Sequence, residues 1–316
     1  MRSSSLSLSP AALTRILDAA ESSFPVTRRA LSEATGLGLS TVARAEALCL
    51  SRGIWRYADG TDPVSGRACR TLLPTGKLLI PLLTVTRERG VVRVVDTAME
   101  VIASAVTELH PAAPPEESAR LLCRRGMTLL RGCSAAGRIT APILLADGPA
   151  AAVLNEAAQD VMGASPLAVM SQAEAVSHAA RAGALPTAGE SLLFVSVGGV
   201  PHACLLLLDG AGRWRPTSLG DGLTATLTRA LRGSDPSAEG IRRAVAVFLA
   251  ELCRFLRPDA ICLEDPRGIL PDGSAYEPLL PEGVAVAVKR GEGLTAAESG
   301  GALAGRRMLW ERILLG

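Results

Sequence analysis

Leu13, Ile16, Leu17 and Ala20 recur at spacings of three and four, which gathers them on one face of a helix, and Ser9-Pro10 supplies a cap and a first-turn proline. The pattern predicts a packing helix from Pro10 to about Ser22. Thr27 is placed to cap a second, short helix through Ala34, whose stripe is Ala30, Leu31 and Ala34 and whose end is Thr35-Gly36. After a turn at Leu37-Gly38-Leu39, Ser40 is expected to cap a third helix with Val42, Ala45, Leu48 and Cys49 inward and Thr41, Arg44, Ala47 and Ser51 outward, stopped by Gly53. Two strand-like runs follow, Ile54 to Tyr57 and Arg70 to Leu73, flanking a polar loop that holds Asp59-Gly60 and Ser65-Gly66-Arg67.

From Leu78 the pattern changes to apolar strands alternating with helical stretches, which predicts an α/β body. Strands are expected at Leu79 to Thr86, Val91 to Asp96, Ile143 to Ala146, Ala168 to Met170, Leu192 to Val197, Ala203 to Leu208, Ala260 to Leu263 and Val284 to Lys289. Helices are expected at Glu116 to Arg131, Ala150 to Met162, Gln172 to Arg181, Thr224 to Leu231, Ser237 to Leu256 and Thr295 to Leu314. The Pro-rich stretch His110 to Pro115 reads as a loop before a helix, and no repeat of fixed period stands out.

Composition narrows the classes. The 316 residues are 48% apolar and 20% charged, a folded-protein balance, and only 3% aromatic, which argues against stacking platforms for single-stranded nucleic acid. The longest apolar stretch, Leu192 to Leu208, is too short for a bilayer span and is broken by Gly198, Gly199, Pro201 and His202; with no signal-like apolar run ahead of Asp18 and Glu21, a cytoplasmic protein is expected. Seven cysteines with no CxxC pair are expected to be reduced and mostly buried. The net charge of +2 is unevenly distributed: residues 1–80 carry ten basic groups against six acidic ones, and nine of the ten are arginine, whose planar fork suits phosphates and guanine edges.

Two short helices joined by a Gly-bearing turn, with small polar groups and Arg opening the second, meet the requirements of a helix-turn-helix, and the paired strands with their loop read as a wing. The candidate contacts to double-stranded DNA are Ser40, Thr41 and Arg44 for base edges or phosphate, Arg28 and Arg29 for phosphate at the second helix, and Arg67 at the wing tip, with Arg56 and Arg70 beside it. An ordinary helical hairpin is the alternative for the helices alone.

In order of pieces the chain resembles the ROK family (repressor, open reading frame, kinase). The resemblance is carried by TRRALSEATGLGLSTVARAEALCLSRGIWR (Thr27 to Arg56), by Ser65-Gly66-Arg67, which is similar to the family's Gly-Arg wing tip, and by LLTVTRERGVVRVVDTAMEVIASA, similar to its opening β-hairpin. Fainter likeness continues in PLAVMSQAEAVSHAARAG, LLFVSVGGVPHACLLLLDG, RFLRPDAICLEDP and ESGGALAGRRMLWERI. It implies a winged helix-turn-helix over residues 1–77 and a two-lobed, actin-like (RNase H-like) α/β domain over 78–316. The lobes would be roughly 78–181 and 182–294, with the last helix, 295–316, returning to the first lobe. Paired heads on a two-fold DNA site further imply a homodimer, and the cleft leaves room for a small-molecule effector.

The resemblance also shows what is missing. Where the family's enzymes carry an Asp and paired glycines for magnesium and phosphate, this chain has Leu82 to Arg87; where they carry the base in an Asn-Asp pair, it has Ser171-Gln172, and glutamine accepts no proton at neutral pH. The second phosphate loop becomes Ser196 to His202, with Pro201 removing a backbone donor, and Ala211 to Pro216 replaces the sugar clamp and zinc cysteines. His110, His178 and His202 are far apart, so neither metal nor other cofactor is expected; Glu264-Asp265 is an acid pair after a strand with no partner visible in sequence. The expectation is a DNA-binding transcriptional regulator with a catalytically inactive body. The alternatives are a carbohydrate kinase with rearranged catalytic residues and a protein-interaction platform.

Overall fold

The computed structural model describes residues 8–61, 68–85, 89–110, 112–198, 201–291 and 293–315. The chain divides into two compact units, Met1–Val169 with Ala302–Gly316, and Met170–Gly301. The N-terminal helices and the first α/β layers thus fall in one unit, and the chain passes to the other between Val169 and Met170.

The first unit opens with α1 (Pro10–Glu21), α2 (Arg28–Thr35) and α3 (Leu39–Ser51), then the antiparallel pair β1 (Trp55–Thr61) and β2 (Ala68–Pro74). Ser9 and Thr27 cap α1 and α2 through their side-chain oxygens, and Gly36 closes α2 in the left-handed region. Two sequence expectations fail here. The cap of α3 is Gly38, with no side-chain hydrogen bond, so the cap and the helix start lie two residues earlier than the Ser40 cap implies, and Ser40 sits in the first turn. Asp59 and Gly60 lie inside β1 and not in a loop; a Cβ at Gly60 would sit 2.6 Å from Thr71 Cγ2, so close strand packing accounts for this glycine.

The same unit continues through β3 (Leu78–Val85), β4 (Arg89–Asp96), β5 (Val101–Glu108), α4 (Pro115–Cys133), β6 (Arg138–Ile139), β7 (Ile143–Leu145), α5 (Pro149–Met162) and β8 (Ala168–Met170). Its sheet runs β5-β4-β3-β7-β8, with β6 also pairing β3; the first three strands are an antiparallel meander and β7 joins in parallel. Leu83, Val92 and Leu144 pack against Leu122, Cys123, Leu154 and Ala158 of α4 and α5. On the opposite face Ile80 and Ile143 meet Gly305 of the last helix, α9 (Ala296–Leu315).

The second unit has its own sheet: β9 (Ser191–Ser196), β10 (His202–Leu208), β11 (Trp214–Pro216), β12 (Ala260–Asp265) and β13 (Ala285–Arg290), in the order β11-β10-β9-β12-β13. The meander β9-β10-β11 is again antiparallel, and β12 and β13 add in parallel. α7 (Gly220–Arg232) and α8 (Ala238–Leu256) cover one face through Leu223, Leu227, Val245, Phe248 and Leu249, packed on Leu193, Val195, Ile261 and Leu263. α6 (Gln172–Arg181) belongs to this unit, and Gly300 at the start of α9 lies so close to it that a Cβ would fall 1.6 Å from the Ala175 carbonyl oxygen. Both sheets thus share one plan, a meander followed by parallel strands, although no repeat is visible in the sequence.

Candidate nucleic-acid interface

α3 is held by Val42, Ala45 and Cys49 in a core shared with Leu13, Ile16 and Leu17 of α1, Leu31 of α2, and Ile54, Trp55 and Leu72 of the hairpin. What remains outside is its opening turn. Ser40 and Arg44 are exposed and Thr41 is half-buried; the Arg44 guanidinium folds back over that turn, with Nε 3.4 Å from the Ser40 carbonyl and Nη2 3.4 Å from Thr41 Oγ1. Three of the sequence candidates are therefore brought together. The Ser32 hydroxyl donates to the Leu37 carbonyl at 2.6 Å, and Arg15 donates to the Thr35 carbonyl, so the turn between α2 and α3 is stitched from both sides.

The other candidates are placed separately. Arg29 is exposed and pairs with Glu33 one turn on, at 2.8 Å. Arg28 is turned to the protein: its Nε and Nη2 donate to both carboxylate oxygens of Glu46 at 2.6 and 3.1 Å, and Tyr57 donates its hydroxyl to the same carboxylate. Glu46, only 2% exposed, sits beside Ala45 on the inward face of α3, where a charged residue breaks the apolar periodicity that marks that face in the sequence. Burial alone pushes its carboxyl up, but the hydrogen bonds from Arg28 and Tyr57 and the Arg28 charge together hold it below the ordinary glutamate range. On β2, the Arg70 guanidinium lies over the Tyr57 ring at 5.4 Å. Arg56 faces the other side of the hairpin, since it pairs with Leu73 while Tyr57 pairs with Leu72. Arg67, with Ser65 and Gly66, lies outside the described residues.

Behind this surface stands an aromatic trio. Phe24, Trp55 and Trp310 meet edge to face, with centroids 5.9 to 6.3 Å apart and planes near perpendicular. Trp310 comes from α9. One turn earlier Arg306, 3% exposed, lies over the Trp310 and Phe24 rings at 4.9 and 5.7 Å and 3.8 Å from Glu21; burial pulls its pKa down and Glu21 partly restores it.

At the positions where the resemblance would place an enzyme's catalytic groups, Leu82 and Leu83 are buried in β3, and Thr86 and Arg87 lie outside the described residues, as do Gly199 and Val200. Ser171 caps α6 in a reciprocal box with Glu174, and Gln172 is the first residue of that helix. In the second unit Glu264, 4% exposed, accepts from the Ala296 backbone N–H at 2.6 Å and lies 3.7 Å from Lys289 Nζ; burial is the largest influence and lifts its pKa above the ordinary value despite these partners. Asp265 is fully buried and accepts from the Leu270 N–H at 2.6 Å. His202 lies in strand β10, buried, and His178 in α6. Among the described residues no group of three metal-ligating side chains comes together, and no helix is long and apolar enough to cross a membrane.

Neither a family model nor a curated protein sequence matches the chain. Solved structures do. A ROK family transcriptional regulator, described as a homologue of the E. coli MLC protein, is 12% identical over 96% of this chain and 98% of its own, with a TM-score of 0.56. The ROK hexokinase of Thermus thermophilus is 19% identical over 71% of this chain and 97% of its own (TM-score 0.44), and the inorganic polyphosphate/ATP-glucomannokinase of an Arthrobacter strain 14% over 72% and 98% (TM-score 0.48). At 12% identity the first of these shows a common fold along nearly the whole chain.

Proposed function

We propose that this chain is a sequence-specific, DNA-binding transcriptional regulator in which α2 and α3 form a helix-turn-helix, β1 and β2 its wing, and the α/β body transfers no phosphoryl group. The observation that carries the reading is the grouping of Ser40, Thr41 and Arg44 at the exposed start of α3, a helix whose remaining inner face is spent on packing. A side chain presented there reaches base edges when the helix lies in a major groove, and the excess of arginine over residues 1–80 supplies phosphate contacts around it. The fold shared with a ROK family transcriptional regulator over 96% of the chain supports the same reading.

The inactive body rests on what stands at the strand ends. Magnesium-dependent phosphoryl transfer needs a carboxylate near the phosphates and a base for the acceptor hydroxyl. Leu82 and Leu83 are apolar and buried, Gln172 opens a helix, and the buried acid Glu264 is engaged by Ala296 and Lys289. The body then serves to pair two heads on a two-fold site, in a homodimer whose effector, a small molecule, would set their spacing.

Selecting bound fragments from genomic DNA and titrating one of them by fluorescence anisotropy tests this. Tight, steeply salt-dependent binding to the selected duplex is expected, and Arg44→Ala should weaken it by about 1–3 kcal/mol with the melting temperature unchanged. Equal, weak binding to selected and scrambled duplexes would overturn the proposal.

A further inference from the structure

Four side chains form a continuous path across the elements of the candidate interface. Arg28 opens α2, Glu46 lies midway along α3, Tyr57 is on β1, and Arg70 is on β2. Each link is a specific contact: two hydrogen bonds from Arg28 to Glu46, one from the Tyr57 hydroxyl to Glu46, and the Arg70 guanidinium stacked over the Tyr57 ring at 5.4 Å. The path changes character along its length. Glu46 is 2% exposed, whereas Tyr57 is 41% exposed and Arg70 is on the surface. Burial and a two-pronged guanidinium leave the carboxylate one position, and the phenol hydroxyl bonded to it fixes a ring that would otherwise turn about its side-chain bonds at an exposed site.

Arg28 and Arg70 consequently differ. The charge of Arg28 is matched at short range by a carboxylate, and moving it to a DNA phosphate would strand Glu46 in the interior. Arg70 forms no ion pair among the described residues, and its planar group is already held flat on a ring, so little side-chain freedom is lost when it meets an anion.

We propose that Glu46 is a positioning residue of the DNA interface: through the Tyr57 hydroxyl it holds the ring on which Arg70 rests, so that Arg70, and not Arg28, meets a backbone phosphate beside the recognition helix. This rests on the DNA-binding reading above and assigns within it which arginine touches the duplex and what aims it.

The test is a double-mutant cycle on affinity for the selected duplex, with Arg70→Ala measured in the wild-type, Tyr57→Phe and Glu46→Gln backgrounds. Tyr57→Phe keeps the ring and removes only the hydroxyl, so it remains informative if Glu46→Gln fails to fold. In the wild type, Arg70→Ala should reduce the salt slope by about one. In either background its effect on affinity should shrink by about threefold or more, a coupling that a uniformly less stable head does not produce. Tyr57→Phe alone should weaken binding and lower the slope by part of the Arg70→Ala decrement, because the cation stays but is no longer held on its phosphate. An undiminished Arg70→Ala effect in both backgrounds, or an unchanged slope on Arg70→Ala, would overturn the assignment while wild-type binding to the duplex left the DNA-binding reading intact. A wild-type protein that binds no duplex would instead remove that reading, and this assignment with it.

Discussion

Glu46 and Glu264 are the same residue type at nearly the same exposure, 2% and 4%, yet they titrate in opposite directions. Partners and depth decide together. Glu46 receives two guanidinium hydrogen bonds at 2.6 and 3.1 Å and a phenol hydroxyl, enough to outweigh burial; Glu264 is more deeply enclosed, and an ammonium at 3.7 Å, one backbone N–H and the Ser196 hydroxyl, offset by the neighbouring Glu298 charge, leave burial to prevail. A carboxyl raised in the folded state favours its protonated form, so its contribution to stability is whole below the ordinary value of 4.5 and is lost as pH rises through the raised one. Glu264→Gln, neutral throughout, should therefore gain melting temperature relative to the wild type as pH is taken from about 4 to about 8, as thermal melts at each pH would show. Glu46→Gln should behave in the contrary way: its deficit is largest at neutral pH and closes as pH falls through the lowered carboxyl value. An arginine-rich head is legible from composition; that a buried glutamate claims Arg28 is not, because a lone Glu within a helix reads as a solvated residue until its neighbours are known.

Among elements, helices were the most legible. α4 to α9 fall within a few residues of the predicted boundaries; α4 to α8 each bury one face whose period is written locally, whereas α9 is buried on nearly every side. Strands with an unequivocal buried run, such as β3, β9 and β12, were legible for the same reason, whereas β5, β6 and β11 were not. β5 is an edge strand whose apolar residues Val101, Ile102 and Val106 are exposed and mark no core face, and β6 is only two residues long. Ser171 stands where the resemblance would put the first residue of an Asn-Asp pair, and here it is a helix cap: its oxygen accepts from the Glu174 N–H at 3.2 Å and Glu174 reaches back to the Ser171 N–H at 2.8 Å. Ser171→Ala should cost about 1 kcal/mol in urea denaturation, the usual worth of an N-cap, and leave DNA affinity unchanged.

For the whole molecule, the notable fact is where the chain's end goes. Trp310 is fully buried in the core made by α1, α2, α3 and the hairpin, and Arg307 on the same helix donates to the Thr14 carbonyl at 3.1 Å and pairs with Asp18 at 3.3 Å. The N-terminal helices therefore complete their core with a residue supplied by α9. Trp310→Ala should cost about 3–5 kcal/mol, read as a lower midpoint in chemical denaturation, and weaken DNA binding by loosening the support of α3. The sequence by itself determined the succession of helices and strands, the arginine excess of the first eighty residues and the lack of a carboxylate over Leu82 to Arg87 and at Ser171-Gln172, since spacing, capping residues and side-chain chemistry are properties of neighbours along a chain. Only the tertiary structure decided that Trp310 closes the N-terminal core, that Glu46 accepts from both Arg28 and Tyr57 while Arg70 lies over the Tyr57 ring, and that Glu264 is enclosed beside Lys289. Those facts depend on which distant residues share a buried site, and burial, hydrogen bonding and charge pairing act through space, over a few ångströms that separation in sequence does not encode.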